Sequence, residues 1–202
     1  EKPVHSVTLS DYYIGKYEVT QGLWKAVMGT GMEEQGYDDL RGVGDDYPMY
    51  YVNWYEVQVF VKKLNKLTGK NYVLPTEAQW EYAARGGVKS RGYKYSGSNT
   101  IDDVAWCWEN SGFATHPVGT KLPNELGIYD MSGNVCEWCS DWYSDYSDVS
   151  QTDPTGPSSG SNRVRRGSSW YSRARFCRVS ARNYGYPGGR RDNLGFRVAL
   201  VF

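Results

Sequence analysis

The sequence predicts an α+β fold with few helices and much irregular structure, spanning residues 1–202 as one domain. Two amphipathic segments with helix caps lie within the first ninety residues. From Lys89 onward the helical period is absent, and short extended runs alternate with turns rich in Gly, Pro, Asn and Asp. With 18 Tyr and 8 Trp but few Ile and Leu, a chain of this length has a core built mainly from aromatic rings.

The first fifty residues contain one short helix between extended and irregular stretches. Residues 4–19 alternate between apolar and polar side chains, which predicts a strand, a turn and a second strand. Thr20 has the position of an N-cap, and Gly29 that of a stop. The apolar stripe between them consists of Leu23, Trp24, Val27 and Met28. The Gly- and Asp-rich stretch up to Tyr50 predicts a long loop.

Two further segments have clearer helical patterns. In "VNWYEVQVFVKKLNKLTGK" the apolar residues recur at helical spacing, and Gly69 lies beyond the end. In "LPTEAQWEYAARGG", Thr76 and Gln79 predict a capping box, and Gly86 and Gly87 predict the stop. Later in the chain, "TDPTGPSSGSN" predicts an exposed loop after Trp142.

Charge excludes some functions and leaves one alternative open. With 23 basic and 23 acidic residues, a globally basic nucleic-acid binder is not expected. No apolar run approaches the roughly 20 residues of a membrane span, and no signal peptide is visible. Arg163–Arg197 nevertheless holds ten arginines and one acid. In one interpretation these arginines form a basic patch that binds nucleic acid or an anionic glycan. In the other, which the overall neutrality favours, they stack on tryptophans and pair with acids such as Glu81, Glu137 and Asp141.

The four cysteines do not form a zinc motif. Cys136 and Cys139 make a lone C-x-x-C, whereas a structural zinc site needs four ligands. Both histidines, His5 and His116, lie in unrelated segments. We therefore expect buried thiols, with Cys107 and Cys177 included, or one disulfide if the protein is exported.

Four stretches together resemble the formylglycine-generating-enzyme (sulfatase-modifying factor) domain. They are "YYIGKYEVTQGLW", "LPTEAQWEYAARGG", "NELGIYDMSGNVCEWCSDWY" and the closing "RRGSSW…NLGFRVAL". The resemblance covers nearly the whole chain in order. It implies a C-type lectin-type fold of the formylglycine-generating-enzyme subclass, with small antiparallel sheets, two main helices and long loops.

The enzymes of that family oxidise a substrate cysteine with copper held by two cysteines. On the resemblance, Ser172 occupies the first of these two positions, and Cys177 lies five residues further on, where the second would be. Cu(I) prefers soft thiolate ligands, for which a hydroxyl is a poor substitute. The resemblance therefore predicts a chain without this catalysis; the alternative is an oxidase of the formylglycine-generating type that uses Cys177.

The last segment, about residues 166–197, resembles more closely the variable proteins of diversity-generating retroelements, of the Treponema variable protein type. In those proteins a reverse transcriptase miscopies template adenines, so that chosen codons change within a constant frame. Aligned with that frame, fourteen positions are expected to vary, and we call them the variable positions. They are Tyr171, Ser172, Arg173, Phe176, Ala181, Asn183, Tyr184, Gly185, Tyr186, Gly188, Gly189, Arg191, Asp192 and Asn193.

The residue types at these positions suit recognition. Tyr supplies large contact area at low entropic cost, and Ser, Gly and Asn adapt, as in antibody paratopes. We therefore expect a non-catalytic display protein at the cell surface or outside the cell, lipid-anchored through a segment upstream of residue 1. Its ligand would be a protein or glycan on a host or bacterial surface, and not nucleic acid. The alternative is a structural surface protein whose Gly-, Asn- and Arg-rich loops bind nothing.

The turn "SGNVCEW" resembles the calcium-binding turn of the same family. The resemblance implies ligands from the backbone of Ser132, Gly133 and Val135 and from the Glu137 carboxylate, since calcium prefers oxygen ligands. In the alternative, Glu137 pairs with a buried arginine. No other cofactor is expected.

Overall fold

Four helices and three small sheets make up the regular structure of the chain, which a computed structural model describes from residue 1 to residue 202. The helices are α1 (Gln21–Met28), α2 (Trp54–Thr68), α3 (Glu77–Ala84) and α4 (Ile101–Val104). The strands are β1 (Val7–Thr8), β2 (Tyr13–Ile14), β3 (Tyr72–Val73), β4 (Cys136–Trp142), β5 (Gln151–Thr152), β6 (Arg163–Arg166), β7 (Asn183–Gly185), β8 (Leu194–Gly195) and β9 (Ala199–Leu200). None of the helices combines the length and apolar character that a membrane span requires.

The helix boundaries follow the capping residues of the sequence. The Thr20 hydroxyl accepts a bond from Leu23 N at 3.2 Å, and Gly29 ends α1 in the left-handed region at φ 82°. Thr76 and Gln79 form the predicted capping box at the start of α3. A second capping box, which the sequence analysis did not identify, joins Asn53 and Glu56 at the start of α2.

Most strand pairs join distant parts of the chain. β4 is the centre of the largest sheet, whose order is β7-β6-β4-β8, and a smaller sheet has the order β2-β9-β3. The expectation of antiparallel sheets holds for most pairs, but β4–β8 and β1–β5 are parallel. Parallel pairing needs a long connection between the strands, and here all four helices lie between β1 and β5, whereas β5, β6 and β7 lie between β4 and β8. The two N-terminal strands do not pair with each other.

The main core is aromatic, as the composition predicts. Trp24 of α1 and Phe60 of α2 stack with ring centroids 5.4 Å apart, and Phe196 meets Phe60 edge-on at 5.2 Å. All three side chains are almost completely buried. A second cluster packs Trp80 of α3 against β4 and β6. The N-terminal and C-terminal parts of the chain are joined in one sheet, because β9 pairs with both β2 and β3.

Candidate binding surface

Residues 166–197 separate into two groups by burial. Five side chains, which we call the frame residues, are at most 3% exposed: Trp170, Cys177, Val179, Leu194 and Phe196. None of the fourteen variable positions is buried. Their aromatic members are the most informative, because Tyr171 is 55% exposed and Tyr186 69% exposed, although large rings usually avoid water. Within this segment, therefore, the frame residues are buried and the variable positions are not.

The main chain at several variable positions is held by bonds that do not involve variable side chains. Trp108 N donates to the Ser172 carbonyl at 3.0 Å, Tyr51 N to the Arg191 carbonyl at 3.0 Å, and Cys136 N to the Asn193 carbonyl at 2.9 Å. Residues Asn183–Gly185 form β7 and pair with β6 through the same kind of bond. These bonds use only main-chain atoms, so they can form whichever side chain occupies the position.

Trp170 fastens the start of the segment to the rest of the protein. Its backbone N–H donates to the Asn134 carbonyl at 2.7 Å, and its carbonyl accepts from the Ser111 hydroxyl at 2.9 Å. Its indole N–H also reaches across to the Asp192 carbonyl at 3.2 Å. Trp170 thus connects the two ends of the variable region while its own side chain stays buried.

Six variable positions line one cavity of about 370 Å³, which we call the arginine cavity. They are Tyr171, Ser172, Arg173, Phe176, Ala181 and Asn183. Arginines of β6 form another part of its wall. Residues that are up to twelve positions apart in sequence therefore share one concave site.

The remaining variable positions lie around this cavity or beyond it. Arg165 of β6 donates to the Asn183 side chain at 3.2 Å and to the Tyr184 carbonyl. On another side, the Asn193 amide donates to Ser169 Oγ at 3.1 Å, and Ser169 Oγ lies 3.3 Å from Ser172 Oγ. Tyr186, Gly188 and Gly189 follow β7 and do not line the cavity.

Arg165 was not among the predicted site residues. It lies in "RVRR", where the arginines were treated as one group that stacks on tryptophans or pairs with acids. In β6, Arg163 stacks between Trp54 and Trp142 at 3.9 and 3.5 Å, as that interpretation expects. The Arg165 guanidinium lies 5.8 Å from the centroid of the Trp138 ring, and Arg165 also lines the cavity. Because side chains alternate between the two faces of a strand, the sequence places Arg163 and Arg165 on one face of β6 and Val164 and Arg166 on the other. It does not distinguish Arg163 from Arg165.

Several arginines form the predicted ion pairs. Arg166 pairs with Glu81, and Arg197 pairs with Glu137. The predicted role of Asp141 is wrong: its carboxylate accepts a bond from Glu77 N at 2.8 Å at the start of α3, where no arginine reaches it. Glu77 is the acid that the sequence analysis missed, and it binds Arg182 through two bonds of 2.7 Å.

The fold and the sequence both match one family. The family model described as the sulfatase-modifying factor enzyme 1-like domain matches residues 1–201. The chain belongs to the sulfatase-modifying factor family. The predicted formylglycine-generating-enzyme subclass of the C-type lectin fold is thereby confirmed, together with its few helices and small sheets.

Relatives in the sulfatase-modifying factor family carry different names. "Treponema denticola variable protein 1" has a TM-score of 0.88 and 37% identity, and the match covers 97% of this chain and 86% of that one. "Chaperone protein LppX" of Paenibacillus barcinonensis is 36% identical over 249 residues, covering 96% of this chain and 81% of the relative. The formylglycine-generating enzyme of Streptomyces coelicolor is 36% identical over 171 residues, which are 76% of this chain and 52% of the enzyme. This chain therefore spans about half the length of that enzyme.

Ser172 and Cys177, which the resemblance predicts at the two copper-ligand positions, lie in different environments. Ser172 is half-buried, and its hydroxyl accepts a bond from Ser169 N at 3.2 Å. Cys177 is completely buried, and burial raises the pKa of its thiol. A buried thiol that keeps its proton is a poor ligand for a metal and a poor nucleophile.

The predicted calcium turn does not offer its carboxylate to a metal. Glu137 is completely buried, and one of its oxygens accepts bonds of 2.7 Å from both Arg197 Nε and Trp80 Nε1. Its other oxygen accepts from Arg197 Nη2 at 2.7 Å. Glu137 therefore forms the ion pair with a buried arginine that was the alternative to calcium binding. The predicted backbone ligands of Ser132, Gly133 and Val135 are left without the carboxylate of the predicted calcium site. The residues present do not fit calcium in this arrangement.

All four cysteines are buried as free thiols. Cys136 and Cys139 belong to β4, whose residues alternate between the two faces of the sheet, while Cys107 and Cys177 belong to a third core cluster with Tyr95 and Val104. Burial raises the pKa of both β4 thiols. The expectation of buried thiols holds in the structure, which contains no disulfide.

Proposed function

We propose that this chain is a non-catalytic display protein that binds a macromolecular ligand through the variable positions. The observation that carries the proposal is the burial pattern of one continuous segment. Its frame residues are buried, its variable positions are not, and the main chain at several of these positions is fixed by bonds to the constant part of the protein. A scaffold that keeps its backbone while its surface residues change is what diversification requires.

The similarity to a Treponema variable protein supports the same function. We infer that the segment is diversified by a retroelement and that the ligand is a protein or glycan on a host or bacterial surface. Accordingly, we place the protein outside the cell or at the outer cell surface, held by a lipid anchor upstream of residue 1. A near-copy of the coding segment next to the gene, with adenines at the variable codons, and an adjacent reverse transcriptase gene would support the diversification.

The relatives named as enzymes make an oxidase the second candidate. Against it stand the serine at position 172 and the burial of Cys177, since Cu(I) is held by soft thiolates. Cys107 shares the core cluster of Cys177, but both thiols are buried and burial raises the pKa of each, so the two do not form an accessible thiolate pair. We therefore propose that the copper chemistry of the enzymes is absent from this chain.

The test of the proposed function exchanges exposed side chains and measures binding and stability together. Replacing Tyr184, Tyr186 and Arg191 with alanine should abolish binding, because Tyr and Arg dominate interface hot spots. Each exposed substitution should change stability by no more than about 0.5 kcal/mol. Binding of labelled protein to a glycan array and to intact host and bacterial cells is the measurement, with thermal unfolding beside it.

A matched control is Tyr55→Ala, which removes an exposed tyrosine of α2 outside the variable segment. This variant should bind like the wild type. Unchanged binding by the triple variant would place the ligand site elsewhere, and strong destabilisation would mean that these side chains serve the fold.

A further inference from the structure

The arginine cavity holds more positive charge than nearby acids neutralise. Of its twelve lining residues none is acidic, and five are arginines: Arg165, Arg166, Arg173, Arg175 and Arg182. Two of the five are neutralised by acids that do not line the cavity, because Arg182 binds Glu77 and Arg166 binds Glu81. The other three form no ion pair.

Arg165 is the exceptional member of this group because it is buried. It is 8% exposed, and the groups that accept its hydrogen bonds are neutral, namely the Asn183 amide oxygen and the Tyr184 carbonyl. Its Nε atom is buried and has no partner. Burial lowers the pKa of Arg165, as does the positive charge of Arg191 nearby. A buried guanidinium without a counter-ion is unfavourable, and an anion in the cavity would relieve it.

The rim of the cavity adds two exposed cations, Arg173 and Arg175, and two exposed rings, those of Tyr171 and Phe176. Arg173 and Arg175 are exposed, and the Arg175 guanidinium lies 4.7 Å from the centroid of the Phe176 ring. Glu109 is an acid that interacts with Arg173, but its carboxylate also accepts bonds from Ala174 N at 3.3 Å and from the Cys107 thiol at 3.2 Å. Glu109 is not among the residues that line the cavity. An incoming anion would therefore meet positive charge at the rim and at the wall.

We propose, building on the proposed function, that the arginine cavity receives an acidic side chain of a protein ligand, with Arg165 as the constant anchor. Guanidinium groups bind carboxylates through paired hydrogen bonds, and arginine clusters are a recurrent means of recognising acidic motifs. The cavity is at the small end of ligand sites, so it suits one side chain rather than a large molecule. The tyrosines around it suit a protein surface.

The proposal separates two kinds of residue in the site. Arg165 is not one of the variable positions, whereas Tyr171, Arg173 and Phe176 at the cavity rim are. The preference for an acidic side chain should therefore persist among diversified copies, and the neighbouring side chains should select the sequence around that acid.

Titration with short peptides tests this proposal without the natural ligand. Acetyl-Gly-Glu-Glu-Glu-Gly-amide should bind with a dissociation constant of about 1 mM or below at low salt, and the matched Gln peptide should not. Arg165→Gln should weaken binding of the Glu peptide at least tenfold. Arg173→Gln, an exposed substitution that leaves the fold intact, should weaken it severalfold. Arg91→Gln removes one positive charge outside the cavity and should leave binding unchanged.

Three results would overturn the proposal. They are no saturable binding at about 10 mM Glu peptide, equal binding of the Gln peptide, and equal affinity in Arg165→Gln. Glucuronate binding more tightly than the Glu peptide would also overturn it, in favour of an acidic sugar. Loss of cell binding in the triple alanine variant, together with no binding of the Glu peptide to the wild-type protein, would refute this proposal and leave the display function standing. Glu-peptide binding that depends on Arg165, together with unchanged cell binding in the triple variant, would refute the display function.

Discussion

Truncation of Phe196 measures how firmly the frame holds the variable surface. The side chain is completely buried between Trp24 and Phe60, with ring centroids 6.1 and 5.2 Å away. Replacing a buried phenylalanine with alanine typically costs about 3–5 kcal/mol, and each lost edge-to-face pair adds to the loss of buried area. We therefore expect Phe196→Ala to lower the free energy of unfolding by about 4–5 kcal/mol. For a chain of this length the melting temperature should fall by roughly 8–20 °C.

The matched comparison is Tyr186→Ala, ten residues earlier in the same segment. Tyr186 is 69% exposed, so its loss should change the free energy of unfolding by no more than about 0.5 kcal/mol. Urea unfolding followed by tryptophan fluorescence gives both values. The division into frame and surface would be refuted if Phe196→Ala cost less than about 1.5 kcal/mol, or if Tyr186→Ala cost more than that.

Two further predictions concern a buried acid and the copper chemistry. Burial raises the pKa of Asp130 to about 6, so the native protein keeps a proton that the unfolded chain loses, and the contribution of Asp130 to stability falls between about pH 4 and pH 6. Asp130→Asn keeps an acceptor for Gly119 N and should exceed wild-type stability by on the order of 2–3 kcal/mol at pH 8 but not at pH 4; a gain independent of pH would contradict this. Purified protein should neither bind Cu(I) tightly in competition with a chelator nor oxidise a cysteine-containing peptide. Copper-dependent turnover that Cys177→Ala abolishes would establish the oxidase instead.

Local features of the sequence predicted local structure well. Thr20, Thr76, Gly29 and Gly69 act through their own hydrogen bonds and backbone angles, so their roles can be recognised without knowledge of the rest of the fold. The long resemblance to a family then supplied the architecture. It also supplied the fourteen variable positions, none of which is buried in the structure.

Features that depend on distant partners could not be predicted in this way. Most strands are two to four residues long and exist because a remote strand pairs with them, as β8 does with β4. Composition suggested acids for the arginines but not which acid would meet which arginine, so Glu77 was missed and Asp141 was misassigned. Arg165 is the clearest case, because it lacks an acidic partner, and no pattern in one sequence reveals that.

One conformational detail also needed the structure. Ser168 has a φ of 62°, in the left-handed region that favours glycine. In the structure the Ser168 hydroxyl donates to the Phe176 carbonyl at 2.6 Å, which offsets part of the conformational cost.

The central claim is that the frame tolerates change at the variable positions. The most direct measurement is the fraction of folded, protease-resistant members in a display library randomised at all fourteen of these positions. A control library randomises the five frame residues. The account predicts that most members of the first library fold and that few members of the control do. If the first library were as poorly folded as the control, these side chains would be part of the fold, and the protein could not be a scaffold for diversified binding.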